Sequence, residues 1–462
     1  MTYSDTIAAI ATPSGQGGIG IVRISGPDAL SIAQQVFRPV RRGPFHSYRL
    51  RYGHIIDPYE HSIIDEALLA VMRKPRSFTA EDVVELSCHG GAMPLQRTLQ
   101  AVLAAGARLA QPGEFTLRAF LHGRIDLSQA EATLDIIEAQ TATGLALAQA
   151  QLGGWLAHEV RRIRADLLEA LAAVTAVLDF PEDDVEAQDV QPQVIAGLQT
   201  VEQLLQSADQ GMVYRQGARA VLVGRPNVGK SSLLNALLRT NRAIVTPIPG
   251  TTRDTLEETV NLAGIPVVLV DTAGMTESDD PVERLGIERS AAALAMADLA
   301  LLVLDQGSGM SDADRAISQL TRQKTTILVC NKADIQPATD ILYIEDHPHL
   351  YATVLTSATT GQGLEQLVQT MKQALLGKHQ AGFDSSADLQ LVTNPRHRDA
   401  LSRAATSLQR IVDAAPGDNT DYSSDLLASD LTIALNALGE VTGETVGDDL
   451  LDLIFSRFCI GK

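Results

Sequence analysis

The sequence predicts an α/β domain at the N-terminus, an α-helical bundle, and a second α/β domain inserted into that bundle. Short β-like runs alternate with turns and helical patterns up to about residue 85, and long Ala/Leu/Gln/Glu-rich stretches of helical spacing begin near Leu117. That helical texture is interrupted by Gly224-Arg225-Pro226-Asn227-Val228-Gly229-Lys230-Ser231, a G-x-x-x-x-G-K-[ST] pattern directly behind the apolar run 220–223. The expected boundaries are 1–118 for the N-terminal domain, 119–215 and 380–462 for the two parts of the helical domain, and 216–379 for the insertion. Because the two ends of a domain often lie close together, such an insertion disturbs its host little.

Taken in order, strands are expected at 6–11, 19–24, 48–54, 67–72 and 83–86, with helices at 29–37 and 93–105. Helical spacing then runs from 117 to near 177, breaks at Phe180-Pro181-Glu182-Asp183-Asp184, and resumes over 194–208. Residues 217–376 alternate strands and helices as a nucleotide-binding α/β domain does, a polar linker occupies 380–388, and helical texture returns to the end.

The net charge of −19 opposes a broad, nonspecific grip on a polyanion, so any nucleic acid needs a local basic face or a partner protein. Cys88, Cys330 and Cys459 are the only cysteines, and their scattered spacing suits neither a disulfide framework nor a zinc site. No basic leader opens the chain and no apolar run reaches membrane-spanning length, so a soluble, cytoplasmic protein is expected.

The loop is read as a phosphate cradle. Its glycines let backbone N–H groups converge on an anion, Lys230 is placed to reach the β/γ-phosphates, and Ser231 to hold Mg²⁺. Asp271-Thr272-Ala273-Gly274 follows the apolar run 266–270, with Asp271 as the metal-proximal carboxylate and the Gly274 N–H facing the γ-phosphate. Asn331-Lys332-Ala333-Asp334 at the end of another apolar run specifies guanine, because the Asp334 carboxylate can accept both N1–H and the exocyclic amine. Lys332 can lie over the purine, Asn331 can bridge base and loop, and Ser357-Ala358 can offer a backbone N–H to guanine O6. Thr252, in the segment 243–254, is positioned to give Mg²⁺ a second hydroxyl only while the γ-phosphate is present. These motifs make the insertion a Ras-like α/β P-loop GTPase domain. Met275 cannot orient a water as the Gln of many small GTPases does, and Glu277, Asp279, Asp280, Glu283 and Glu288 remain open as replacements. No arginine declares itself as a finger, so another cation must stand in.

Pro249-Gly250-Thr251-Thr252-Arg253-Asp254 together with the terminal Cys459-Ile460-Gly461-Lys462 closely resembles the MnmE (TrmE) family of tRNA-modification GTPases. The resemblance extends to Asp5-Thr6-Ile7, Gly17-Gly18-Ile19-Gly20-Ile21-Val22-Arg23-Ile24-Ser25-Gly26, Pro112-Gly113-Glu114-Phe115 and Arg118-Ala119-Phe120-Leu121, and covers essentially the whole chain. It implies a homodimer joined through α/β N-terminal folate-binding domains, and a flavoprotein partner, MnmG (GidA), in a heterotetramer. It also implies addition of an aminomethyl or carboxymethylaminomethyl group at C5 of a tRNA wobble uridine, with formyl- or methylene-tetrahydrofolate as the one-carbon source. By the same resemblance K⁺ replaces the arginine finger at Asn227, Thr246, Ile248 and Thr251, and hydrolysis is coupled to pairing of the G domains. Glu283 becomes the catalytic carboxylate, acting with Lys230 and Asn227. The full GTP set is Asn227, Val228, Gly229, Lys230, Ser231, Ser232, Thr246, Thr251, Thr252, Asp271, Thr272, Ala273, Gly274, Asn331, Lys332, Asp334, Ser357 and Ala358, with Ser231 and Thr252 on Mg²⁺. Folate positions correspond to Arg23, Glu85, Arg124 and Lys462. Taken without the resemblance, Arg23 reads as an edge charge and Glu85 as an outward-facing residue. Cys459 reads as a buried small hydrophobe in preference to a thiolate, although the resemblance implies a functional thiol.

Gly15-Gln16-Gly17-Gly18-Ile19-Gly20 matches G-x-G-x-x-G, but a strand-like run follows where a dinucleotide fold needs a helix. Cys88 and His89 lack metal partners at useful spacing, and Arg161, Arg162, Arg164, Arg396, His397 and Arg398 read as solvated helix faces before RNA contacts. Two rival functions stay in view. A ribosome-assembly or RNA-binding GTPase of the Era/Der kind suits the G motifs but not the N-terminal block or the Cys-Ile-Gly-Lys end, and the other is a folate-dependent one-carbon transferase in which the G domain is only regulatory.

Overall fold

The computed structural model describes residues 5–13, 15–180, 188–241, 257–271, 292–335, 344, 347–377, 389–414 and 423–461. The chain divides into two compact units, one of Met1–Leu134 with Gly439–Lys462 and the other of Asp135–Leu438.

The first unit is built on a seven-stranded sheet in the order β3-β4-β5-β6-β2-β1-β7. Its strands are β1 (Ile7–Ile10), β2 (Ile19–Ser25), β3 (Phe37–Pro39), β4 (Leu50–Ile56), β5 (Ile63–Met72), β6 (Val83–His89) and β7 (Arg108–Leu109). All neighbours run antiparallel except β1 and β7. Alternation along β2 buries Val22 and Ile24, which with Leu69, Val84 and Leu86 form a core under α1 (Ala29–Val36) and α2 (Ala92–Ala104). The literal G-x-G-x-x-G segment leads into strand β2, which excludes the dinucleotide reading.

Helical spacing from 117 to 177 is realised as four helices: α3 (Glu114–Leu121), α4 (Leu127–Glu138), α5 (Ala142–Leu152) and α6 (Trp155–Asp179). Gly123 and Gly154 have φ of 69° and 84°, a left-handed backbone that ends a helix at little cost only for glycine, and Thr141 caps α5 through its side chain. Arg118 on α3 is wholly buried, with bonds to Asp5, Glu81 and Glu114 at 2.7, 3.2 and 3.0 Å. Burial works to raise the Asp5 carboxyl, but bonds from Arg108 and Arg118 outweigh it and hold it below its ordinary range.

The second unit contains α7 (Gln191–Gln216) and a six-stranded sheet in the order β13-β12-β11-β8-β10-β9. Its strands are β8 (Ala218–Val223), β9 (Glu257–Leu262), β10 (Ile265–Asp271), β11 (Leu299–Asp305), β12 (Thr326–Asn331) and β13 (Leu350–Leu355). Every pairing is parallel except β9 with β10. Strands β8, β11 and β12 are continuous apolar runs because both faces are covered, one by the core around Leu222, Val303 and Val329 and the other by the core around Val223, Leu302 and Leu328. Helices α8 (Lys230–Asn241), α9 (Asp312–Thr321) and α10 (Leu364–Leu376) belong to this sheet, while α11 (Pro395–Asp413) packs along α7. Gly211 lets the segment leading into α11 cross α7, since a Cβ there would lie 2.2 Å from the Val392 carbonyl oxygen. Helix α12 (Ser424–Thr442) follows, and α13 (Asp448–Phe455) closes a small core of the first unit with Phe455, Phe458 and Leu127.

Candidate functional site

In the second unit the loop between β8 and α8 has the backbone that the glycine pattern demands. Gly229 has φ of 97°, and Asn227 sits at 63°, in the left-handed region that asparagine tolerates better than other side chains. An added Cβ at Gly224 would lie 2.3 Å from the Val303 carbonyl oxygen, and at Gly229 2.3 Å from Asn331 Nδ2. The loop is therefore clamped between the ends of β11 and β12, at the carboxyl ends of parallel strands where ligands of open α/β sheets bind.

Lys230 is 5 % exposed, and its Nζ donates to the Gly224 and Arg225 carbonyls, each at 2.8 Å. Burial pushes the ammonium below the usual lysine range, with the Asp271 carboxylate pulling the other way. A cation held on two neutral carbonyls fits an anionic ligand that would replace them. Ser231 Oγ donates to Asp271 Oδ2 at 2.7 Å, so a hydroxyl and a carboxylate meet as a hard divalent cation requires.

Asn331, buried at the end of β12, ties the two halves of the site together. Its Nδ2 donates to the Val228 carbonyl at 3.0 Å, and its Oδ1 accepts from the Ala358 N–H at 3.2 Å. One side chain thus joins the phosphate loop to Ser357-Ala358. Lys332, with φ of 63°, pairs with Asp305 at 2.7 Å; burial works to raise that carboxyl, but the Lys332 bond, the Gly307 N–H and the nearby positive charge together hold it low. Asp334 is exposed beside them. Val228 is buried, while Asn227 and Ser232 are exposed.

Two residues that motif reading passed over brace this site. Arg225 Nε donates to Asp314 Oδ1 at 2.7 Å, and Asp314 is fully buried. Asp314 also closes a capping box with Ser311 at the start of α9. The Ser311-x-x-Asp314 spacing was a readable signal for the cap, although nothing local showed that Arg225 would reach it. Thr246, Ile248, Thr251, Thr252, Thr272, Ala273, Gly274 and Glu283 lie outside the described residues, as do all the other carboxylates weighed for the catalytic role.

In the first unit the register of β2 against β6 sets Arg23 opposite Glu85, and Arg23 Nε meets Glu85 Oε1 at 2.9 Å. Neither is at an edge or on an outward face: β2 is an inner strand and the pair is half-buried, because β6 and β1 flank it. Arg23 also donates to the Gly461 carbonyl at 3.2 Å and lies 5.7 Å from the Phe115 ring centre. The carboxylate, guanidinium, carbonyl and aromatic face form a set able to hold a planar polar heterocycle such as a pterin. Arg124 is exposed after α3, and Lys462 lies outside the described residues.

The tail reaches Arg23 because Ile460 bridges Pro112 and Gly461, at φ 97°, approaches Ile10 so closely that a Cβ would lie 2.3 Å from its carbonyl oxygen. Cys459 is exposed, which corrects the expectation of burial: tail pairing through Ile460 and the Gly113 N–H leaves its thiol outside the apolar core. Cys88 is buried, and burial pushes its thiol up. His89 pairs with Asp65 at 2.7 Å, and no metal-binding cluster occurs among the described residues. Of the arginines set aside as helix faces, Arg162 pairs with Glu159 and Arg398 with Asp209, but Arg164 is half-buried and donates to the Leu435 carbonyl, and His397 is fully buried. No helix among the described residues is long and apolar enough to cross a membrane.

The TrmE N-terminal family model matches residues 6–124, and the MnmE helical-domain model matches residues 127–459. A protein of Chloroflexus aurantiacus named tRNA modification GTPase MnmE is 62% identical over 459 residues, covering 99% of this chain and 100% of its own length. A protein of the same name from Roseiflexus castenholzii is 61% identical over 474 residues, with 100% of both chains covered. Among solved structures, Era of Aquifex aeolicus is 30% identical over 41% of this chain and 66% of its own, with a TM-score of 0.29. With two family models spanning nearly its whole length and relatives of this identity end to end, the chain belongs to the MnmE family of tRNA modification GTPases.

Proposed function

We propose that the chain is a GTP hydrolase whose cycle drives modification of tRNA at C5 of the wobble uridine, together with a flavoprotein partner and a folate one-carbon donor. The observation that carries the reading is the pre-formed anion site in which Lys230 is parked on carbonyls and Ser231 on Asp271, coupled through Asn331 to the guanine-recognition loop, in a chain of this family.

Under this reading residues 216–379 form the inserted G domain, 1–118 the folate-binding and dimerisation domain, and 119–215 with 380–462 the helical domain. Lys230 leaves its carbonyls for the β/γ-phosphates, the Val228, Gly229 and Lys230 N–H groups cradle the oxygens, and Asp334 accepts from guanine. Ser231 and Thr252 hold Mg²⁺, and Asn227, Thr246, Ile248 and Thr251 hold K⁺, which when bound neutralises charge growing at the β/γ bridge. Glu283 orients the attacking water. Arg23, Glu85, Arg124 and Lys462 hold folate, and Cys459, being exposed, is available as a thiol.

The test is GTP turnover by the full chain in Na⁺ and in K⁺ at equal ionic strength, beside the wobble-uridine content of tRNA from cells lacking the protein. Faster turnover in K⁺ and loss of the modified uridine are expected. Equal rates in the two salts would remove K⁺ from the mechanism, and unchanged uridines would remove the tRNA reaction.

A further inference from the structure

A chain with 37 Lys and Arg against 56 Asp and Glu concentrates cations at one end of the N-terminal sheet. Residues 38–51 read Arg-Pro-Val-Arg-Arg-Gly-Pro-Phe-His-Ser-Tyr-Arg-Leu-Arg, with five arginines and no acid, and 73–76 read Arg-Lys-Pro-Arg. Though separate in sequence, the two segments lie side by side. Ser47 bridges Val71, the Tyr48 N–H donates to the Val71 carbonyl at 2.8 Å, and the Arg73 N–H donates to Ser47 Oγ at 3.1 Å. The Tyr48 hydroxyl donates to the Arg76 carbonyl, and the Val40 N–H to the Tyr52 carbonyl at 3.2 Å.

The cations are presented to solvent. Arg41, Arg42, Arg49, Arg73, Lys74 and Arg76 are all exposed, and the one carboxylate that answers them is Asp82, paired with Arg73 at 3.1 Å. No carboxylate among the described residues pairs with the other five. Exposed like charges without carboxylate partners give this end of the sheet a positive potential that attracts an anion. Tyr48, next to Arg49 in sequence, is 65 % exposed and keeps φ of 59°, a costly backbone for an aromatic residue, while Tyr52 is 49 % exposed with its hydroxyl on the Glu66 carboxylate. Cations spaced along a surface with exposed aromatic faces match an RNA backbone whose unstacked bases find a platform.

We propose that this end of the N-terminal sheet is a docking surface for the sugar-phosphate backbone of tRNA. The inference rests on the reading of the chain as acting on tRNA, and adds where that tRNA touches it. Affinity here is electrostatic and sequence-tolerant, since arginines free of base contacts position a nucleic acid without reading it.

The experiment is tRNA binding by the full chain as a function of salt, for the wild type, a variant with Arg41, Arg42, Arg49 and Arg76 all changed to Ala, and one with the same four changed to Lys. The alanine variant is expected to bind at least about tenfold more weakly at low salt, with the log–log salt slope shallower by roughly 2 to 3. The lysine variant is expected to stay within a few-fold of the wild type, because a phosphate accepts a point charge. GTP turnover and the thermal unfolding profile of the full chain, unchanged in all three, confirm that the variants fold. An alanine variant with wild-type affinity and slope overturns the proposal, as does one whose sole change is in sedimentation, which would give the surface to a second copy of the chain. If the wild type restores the wobble-uridine modification in cells and the alanine variant does so equally well, the tRNA function stands and this surface falls.

Discussion

The two sheets hold their candidate sites in opposite ways. The parallel sheet of the second unit places its site on several loops at strand ends, so the functional residues come in short consecutive motifs, of which Gly224 to Ser231 carries its own backbone signature. The antiparallel sheet of the first unit places its site on strand faces, so Arg23 and Glu85, 62 positions apart, meet only through register. A loop motif announces itself, whereas a face pair is silent until strands align. Loop sites should therefore fail through backbone geometry, and face sites through lost ligand contacts with little loss of fold.

The largest expected effect tests the resemblance at the loop site. Glu283→Ala should retain GTP binding while turnover falls by about 10²–10³, the usual scale for losing one group that acts only in the transition state. Single-turnover hydrolysis measures it, and a normal rate would remove Glu283 from the mechanism. Next comes Gly229→Ala, whose methyl would collide with Asn331 Nδ2 at 2.3 Å in a backbone already at φ 97°. Both strain and loss of the Asn331 bond to Val228 should weaken binding of a fluorescent guanine nucleotide by about 100-fold, on the scale of 2–3 kcal/mol for backbone strain with a broken buried hydrogen bond. Unaltered affinity would show that the clamp on the loop is dispensable.

At the face site, Arg23→Ala should weaken folate binding by roughly tenfold or more, as expected for a lost charge-assisted hydrogen bond. The melting temperature should barely move, since a half-exposed pair contributes about 1 kcal/mol or less. A large drop in thermal stability with intact folate binding would reverse the comparison by making the pair structural. The smallest change in activity is expected for Arg225→Ala. Asp314 keeps its bonds from Ser311, so unfolding should become easier by about 1–3 kcal/mol, less than for a buried charge left bare. The nucleotide KM should rise a few-fold with kcat nearly constant, and Arg225→Lys should recover part of the loss. Equal falls in kcat and kcat/KM would instead place Arg225 in the chemistry.

Particular residues show where reading from sequence reached its limit. The phosphate loop, Asp271 and Asn331-Lys332-Ala333-Asp334 were legible because each chemistry needs fixed residue types a few positions apart, behind a buried strand. Neither Arg225 with Asp314 nor Arg118 with Asp5 and Glu81 was legible, since each draws partners from distant elements; only the Glu114–Arg118 part of that cluster is local, four residues apart on α3. Cys459 was misread because a free cysteine behaves as a small, usually buried hydrophobe, while the pairing of Ile460 with Pro112 left it in solvent.

By itself the sequence determined the alternation of strands and helices, the phosphate and guanine motifs, and the family, because local propensity and short-range spacing suffice for these. Only the tertiary structure decided which charges meet. Strand register paired Arg23 with Glu85, and packing folded the basic segments 38–51 and 73–76 into one surface. Coulombic and hydrogen-bond interactions depend on distance in space, and the chain sets that distance only once its sheets have closed.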